Sequence, residues 1–225
     1  MRTVPPTGGR SVRTIKNFVF DFDGTLVDSL RDVLDSLKLA FKECGVTVQS
    51  YDTGKILQFQ LREAVCALAP DSTAEQTERV ISRFREIYDT STYPNTGLMP
   101  TVAELLPKLK ERSTGMFIVS NKRAVPTIRI LDNFHLRRFF TGIFNSDIYE
   151  GEKTLTKREL LALALEKHSL AKSETAYIGD SEGDVTAAKE NGVLAIAVKN
   201  GYGDIPSFKI KPDYIVYRII EILTV

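Results

Sequence analysis

The sequence predicts an α/β protein: a Rossmann-like core built on a parallel sheet, with an all-helical cap inserted after the first strand. Three observations carry this. Short apolar runs alternate with helical patterns of about ten to twelve residues, the order that right-handed βαβ units and a parallel sheet require. The alternation stops once, between Leu30 and Tyr93, where about 60 residues show helical periodicity and no strand signal. Three of the apolar runs end in polar groups of related type, at the place where open parallel sheets build their sites.

The elements follow in order. Residues 15–20 read as a buried strand, short, apolar and rich in aromatics. The helical region then shows three apolar faces: Leu30, Val33, Leu34, Leu37 and Phe41; Leu61, Val65 and Leu68; and Val80, Ile81, Phe84, Ile87 and Tyr88. "PDST" at 70–73 reads as a turn that starts a helix, and "YPNTGLMP" at 93–100 as the way back to the sheet. Strands are expected at 116–120, 140–144, 175–178, 193–198 and 214–216, and helices at 101–112, 125–133, 157–168 and 182–191. This divides the chain into a core of 15–29 and 94–225, a cap of 30–93, and a basic arm of 1–14. The arm carries Arg2, Arg10 and Arg13 and no acid. It is expected to be flexible, with an organelle-targeting peptide as the other reading.

Composition narrows the function classes. Across 225 residues the net charge is +1, so no nucleic-acid or acidic-membrane partner is expected. No run of about 18 apolar residues occurs, so no membrane span is expected. Cys44 and Cys66 have no metal-ligand spacing and read as reduced thiols of a cytoplasmic protein.

The chemistry gathers after three strands. The first is followed by Asp21, Asp23, Gly24 and Thr25, the second by Ser120, Asn121 and Lys122, and the strand "TAYI" by "GDSEGD", with Asp180 and Asp184. Each stretch has a plain structural reading: Asp-Phe-Asp-Gly as a turn, "GDSEGD" as a capped helix start. A calcium loop would need a further ligand before the glycine and a Glu six residues after it. Their joint placement at strand ends of one sheet points to a site. Two carboxylates two residues apart raise each other's cost of ionising, so something positive belongs beside them. Carboxylates from two strand ends suit Mg²⁺, which takes oxygen ligands and a substrate phosphate. Asp21, ending the strand, is placed to attack phosphorus, and Asp23 to protonate a leaving oxygen and later deprotonate water.

"DFDGTLVDS", "VSNK", a lysine before a helix and "IGDSEGD" together resemble the signatures of the haloacid-dehalogenase superfamily in its phosphatase branch, over about residues 15–200. The helical insertion is similar to the small cap of phosphoglycolate-phosphatase-like members. The resemblance implies an aspartyl-phosphate on Asp21 and acid/base work by Asp23. It implies Mg²⁺ held by Asp21, the Asp23 backbone carbonyl and Asp180, with Asp184 acting through water or supporting the others. It implies phosphoryl binding by Ser120 and a lysine, with Asn121 orienting the site. The expected activity is hydrolysis of a small phosphorylated metabolite by a monomer or weak homodimer. A sugar-phosphate mutase of the β-phosphoglucomutase type is the alternative, and a non-catalytic binding relative a third reading.

Two lysines compete for the phosphoryl role. Lys157 opens the helix whose apolar pattern is Leu160, Leu161 and Leu165, which aims its ammonium from a rigid element. Lys153 lies in "YEGEKT" between acidic neighbours, so Lys157 is chosen. In the cap, Arg62 and then Lys55 are the candidates for reading the non-reacting end of the substrate.

Overall fold

A computed structural model describes residues 14–48, 56, 60–112, 114–148 and 154–225. Among these residues the main sheet has six parallel strands: β1 (Asn17–Phe20), β4 (Gly115–Ser120), β5 (Gly142–Asn145), β6 (Thr175–Gly179), β7 (Leu194–Val198) and β8 (Tyr214–Val216). Their order is β5-β4-β1-β6-β7-β8, so the first strand lies centrally, between β4 and β6. The order reverses at β1, and that switch point opens the crevice at the strand ends.

The inner strands are apolar on both faces because both faces are covered, whereas the edge strand β8 leaves Tyr214 and Ile215 exposed. On one face Val19, Phe117, Val119, Tyr177 and Ala195 pack with α6 (Lys157–Lys167) and α7 (Glu182–Asn191). On the other, Phe18, Phe20, Ile118, Ile178 and Ile196 pack with α4 (Val102–Glu111) and α5 (Ala124–Asn133). The third strand begins two residues later than expected, because a 3-10 turn at Arg137–Phe139 precedes it.

Between the first and second strands of the main sheet lie α1 (Leu30–Cys44), α2 (Leu61–Leu68) and α3 (Ala74–Thr90), with no strand among the described residues from 30 to 93. The apolar faces expected there are the packing faces. Leu34, Leu37 and Phe41 of α1 share one cluster with Val80, Ile81, Phe84 and Tyr88 of α3. Thr73 caps α3 by accepting from the Gln76 N–H at 3.1 Å, while Gln76 Oε1 accepts from the Thr73 N–H at 2.8 Å. Gly45 ends α1 at φ 67°, a left-handed position that costs glycine little.

One element escaped the sequence. β2 (Val27–Asp28) and β3 (Gly97–Leu98) form a small antiparallel pair where the chain leaves the core and returns. Strands this short carry no readable period. Beside the pair, the buried Asp32 carboxylate accepts from the Asn95 N–H and Nδ2 and from the Thr96 hydroxyl at 2.6 Å. That fixes the start of α1 to the returning segment. No helix of the described residues is long and apolar enough to cross a membrane. Lys55, Lys153 and the arm through Arg13 lie outside the described residues.

Candidate active site

The site begins where β1 stops. Phe18 to Phe20 are buried between helices, and the Asp21 N–H donates to the Ile178 carbonyl at 2.8 Å. This pins the backbone of Asp21 to β6, so its carboxylate projects from a rigid strand end and is buried. The chain then makes a single turn, with the N–H groups of Leu26 and Val27 donating to the Phe22 carbonyl. Gly24 sits in this turn at φ 77°, and a methyl group there would overlap the Asp180 carboxylate and the Tyr202 ring. Both the backbone angle and the lack of room demand glycine. Thr25 Oγ1 donates to Asp180 Oδ1 at 3.2 Å, joining this turn to the end of β6.

At that end, "GDSEGD" satisfies both of its readings at once. Ser181 caps α7: its hydroxyl accepts from the Asp184 N–H at 3.3 Å, and its own N–H donates to Asp184 Oδ2 at 3.0 Å. The same Asp184 carboxylate faces the site. Its Oδ1 accepts from Lys157 Nζ at 2.6 Å and from the Tyr177 hydroxyl at 3.1 Å. Asp180 is enclosed by the loop after β7, whose Tyr202 N–H donates to Asp180 Oδ2 at 2.6 Å.

Asp21, Asp180 and Asp184 each offer a carboxylate oxygen within 4.8 Å of the others, and all three are buried. Burial first, then the Asp184 charge, push Asp21 up to about 8, while Lys157 pulls the other way. Burial and Asp184 push Asp180 up to about 6. Lys157 answers part of this negative charge, lying 3.0 Å from Asp21 Oδ2 as well as on Asp184. Burial lowers the lysine's pKa, but the two carboxylates outweigh it and hold the pKa above the ordinary value. A positive charge at the first position of a helix opposes the peptide dipoles. The two acids hold it there.

Asp21 Oδ1 is buried with no hydrogen-bond partner. An orphaned oxygen among three crowded carboxylates fits a hard divalent cation with oxygen ligands. Asp184 has every hydrogen-bonding direction used by Lys157, Tyr177 and Ser181, which suits a supporting position. Asp21 and Asp180 have capacity left for direct ligation.

Asp23 stands apart from that cluster. Its Oδ1 accepts from the Ser29 hydroxyl at 2.5 Å and from Lys122 Nζ at 2.9 Å, and its Oδ2 from Lys122 Nζ at 3.1 Å. The sequence placed Lys122 at the strand end without a role, because "SNK" carries no signal of its own. Ser120 is buried at the end of β4, and its hydroxyl accepts from the Lys122 N–H at 3.2 Å. Asn121 is exposed on the same loop. Asn145, also unforeseen, holds that loop by donating to the Lys122 carbonyl at 2.9 Å. Arg62 lies exposed on α2, where its guanidinium pairs with Glu78 and ties α2 to α3.

Residues 18–198 match the family model described as haloacid dehalogenase-like hydrolase. A phosphoglycolate phosphatase of Synechococcus elongatus is 31% identical over 189 residues, covering 83% of this chain and 84% of the relative. One from Vibrio parahaemolyticus is 28% identical, over 94% of this chain and 96% of its own. Among solved structures, a haloacid dehalogenase-like family hydrolase from Streptococcus pneumoniae superposes with a TM-score of 0.82 at 26% identity, covering 93% of this chain and 97% of that one.

Proposed function

The chain belongs to the haloacid dehalogenase-like hydrolase family, and we propose that within it the protein is a Mg²⁺-dependent phosphatase of small phosphate monoesters, working through an aspartyl-phosphate. The observation that carries this reading is the buried, unpartnered Asp21 Oδ1 inside a three-carboxylate cluster, with a second carboxylate, Asp23, held separately by its own lysine.

Asp21, Asp180 and the Asp23 backbone would hold the ion, with Asp184 supporting them. When bound, magnesium offsets the negative charge that otherwise repels a phosphate dianion from Asp21. Ser120 and Lys157 bind phosphoryl oxygens, and Asn121 borders the phosphoryl pocket. An Asp21 oxygen forms a bond to phosphorus as the bond to the leaving oxygen breaks. The electron pair goes to that oxygen, which takes a proton from Asp23. Water then attacks phosphorus and gives a proton to Asp23. The Asp21–phosphorus bond breaks, returning the carboxylate and free phosphate. The helices of 30–93 act as a cap that keeps bulk water from this exchange.

The relatives named phosphoglycolate phosphatase make phosphoglycolate the first substrate to test. Free Cys44 and Cys66 suit a cytoplasmic setting. A panel of phosphorylated metabolites with Mg²⁺ should yield phosphate from small monoesters, phosphoglycolate among them. Failure to release phosphate from any member refutes the reading. Conversion of β-glucose 1-phosphate to glucose 6-phosphate without phosphate release makes the protein a mutase instead.

A further inference from the structure

The loop after β4 grips the cap at two adjacent points, and one of them ends on Asp23. Lys122 and Arg123 are neighbours in that loop, and Tyr88 and Asp89 are neighbours near the end of α3. Arg123 pairs with Asp89 on the cap and, at 3.4 Å, with Asp147 on the core. Lys122 Nζ lies 4.7 Å from the centroid of the Tyr88 ring, close enough for a cation–π contact.

The Lys122 side chain is almost fully buried. It is 6% exposed, and its ammonium meets both oxygens of Asp23 and, at 3.4 Å, the Ser29 hydroxyl. The Tyr88 ring packs beside the same ammonium. The Tyr88 hydroxyl is itself buried and makes no hydrogen bond of good geometry. A carboxylate on a loop has several rotamers open to it. Here Ser29 and Lys122 leave Asp23 one orientation, with Oδ2 carrying only the Lys122 contact.

We infer that Lys122 is a positioning residue that aims Asp23 at the leaving oxygen, and that Tyr88 makes this aim depend on α3 being docked. Catalysis is thereby tied to cap closure through a side chain that touches neither phosphorus nor the three-carboxylate cluster. A purely structural ion pair would slow every substrate alike. A positioning role slows only substrates whose leaving group needs a proton. The inference rests on Asp23 being the group that supplies that proton.

The test measures release of the leaving alcohol in the first turnover, with Mg²⁺, from two esters. An alkyl phosphate must have its alkoxide protonated, whereas the phenolate of p-nitrophenyl phosphate departs without a proton. Lys122→Met is expected to slow the alkyl ester by about 10- to 100-fold and the aryl ester by less than about threefold. Retained aryl turnover shows that the variant is folded. Tyr88→Leu should give the same selectivity at roughly 3- to 10-fold, through a looser Lys122. Equal losses on both esters in a Lys122→Met protein with a native thermal transition overturn the inference, as does no loss on either. Where Lys122→Met does not fold, Tyr88→Leu decides on the same criterion. Asp23→Asn is the control for the underlying reading. If it shows no discrimination between the esters, the assignment of Asp23 fails, whatever Lys122 does.

Discussion

Replacing Lys157 with methionine separates the folding role of the site from its chemistry. The lysine lies 3.0 Å from Asp21 Oδ2 and 2.6 Å from Asp184 Oδ1, with its side chain 13% exposed. Lys157→Met keeps the length and apolar stem and deletes the charge. Three carboxylates within 4.8 Å of one another then lose the cation that bridges two of them. Removing one partner of a buried ion pair costs about 3–5 kcal/mol, because the other charge stays buried. For a domain of this size a loss of that order lowers Tm by roughly 6–20 °C. Mg²⁺ puts positive charge back into the cluster, so much of the loss should return on adding it. Turnover should not return, since a donor fixed on the phosphoryl group is worth about 10²–10³ in rate. Thermal unfolding with EDTA and with Mg²⁺, beside phosphate release, reads both effects. A variant that melts within about 2 °C of the parent without metal, or turns over within about threefold of it, would overturn this account of Lys157.

The remaining expectations concern the same cluster and its surroundings. Asp21→Asn should abolish phosphate release yet raise the Tm of the metal-free protein near pH 8, because it removes a charge that burial and Asp184 oppose; a lower Tm there contradicts the charge argument. Burial and then Asp184 push Asp21 up to about 8 and Asp180 up to about 6, from the usual 3.8, so the folded metal-free protein holds more protons than the unfolded chain between those limits. Their contribution to stability is therefore fully present below about pH 4 and is lost as pH rises through about 6 and then about 8. Mg²⁺ displaces those protons, and its affinity should rise by about tenfold per pH unit for each proton displaced; a flat calorimetric profile across that window would count against Asp21 and Asp180 as ligands. Gly203→Ala places a methyl group against the Asp180 carbonyl and should weaken Mg²⁺ binding by about 10- to 100-fold, as measured by titration, with an unchanged affinity arguing that Asp180 does not hold the ion. Arg62→Ala breaks an exposed pair with Glu78, so the expected stability loss is under about 1 kcal/mol and the substrate profile should hold; a changed profile would return Arg62 to the substrate.

Much of the sheet was legible because its signals are local. Buried parallel strands are short apolar runs, and helix starts are marked by capping residues, as Thr73, Thr156 and Ser181 all show. Lys157 is chosen from a local signal too, the apolar pattern Leu160, Leu161 and Leu165 that starts just after it, and it is the first residue of α6. Lys122, Asn145 and Tyr202 could not be assigned roles in this way. Lys122 meets Asp23 across 99 positions, and Tyr202 donates to Asp28 across 174. A lysine in a loop or a tyrosine after a strand has no period and no spacing that names such a partner.

Which carboxylates leave strand ends, and in what order, is set by neighbours along the chain, through the apolar runs and capping residues beside them. How the carboxylates divide depends on contacts between segments distant in the chain. Asp21 and Asp23 are two positions apart, and in an extended strand they would share a face. The chain turns after Asp21 instead, with Phe22 accepting two backbone hydrogen bonds and Gly24 bending back against Asp180. Asp21 stays in the cluster with Asp180, Asp184 and Lys157, while Asp23 faces Lys122 and, beyond it, the Tyr88 ring of α3. That division depends on four segments meeting above β1, and no stretch of the chain contains all four.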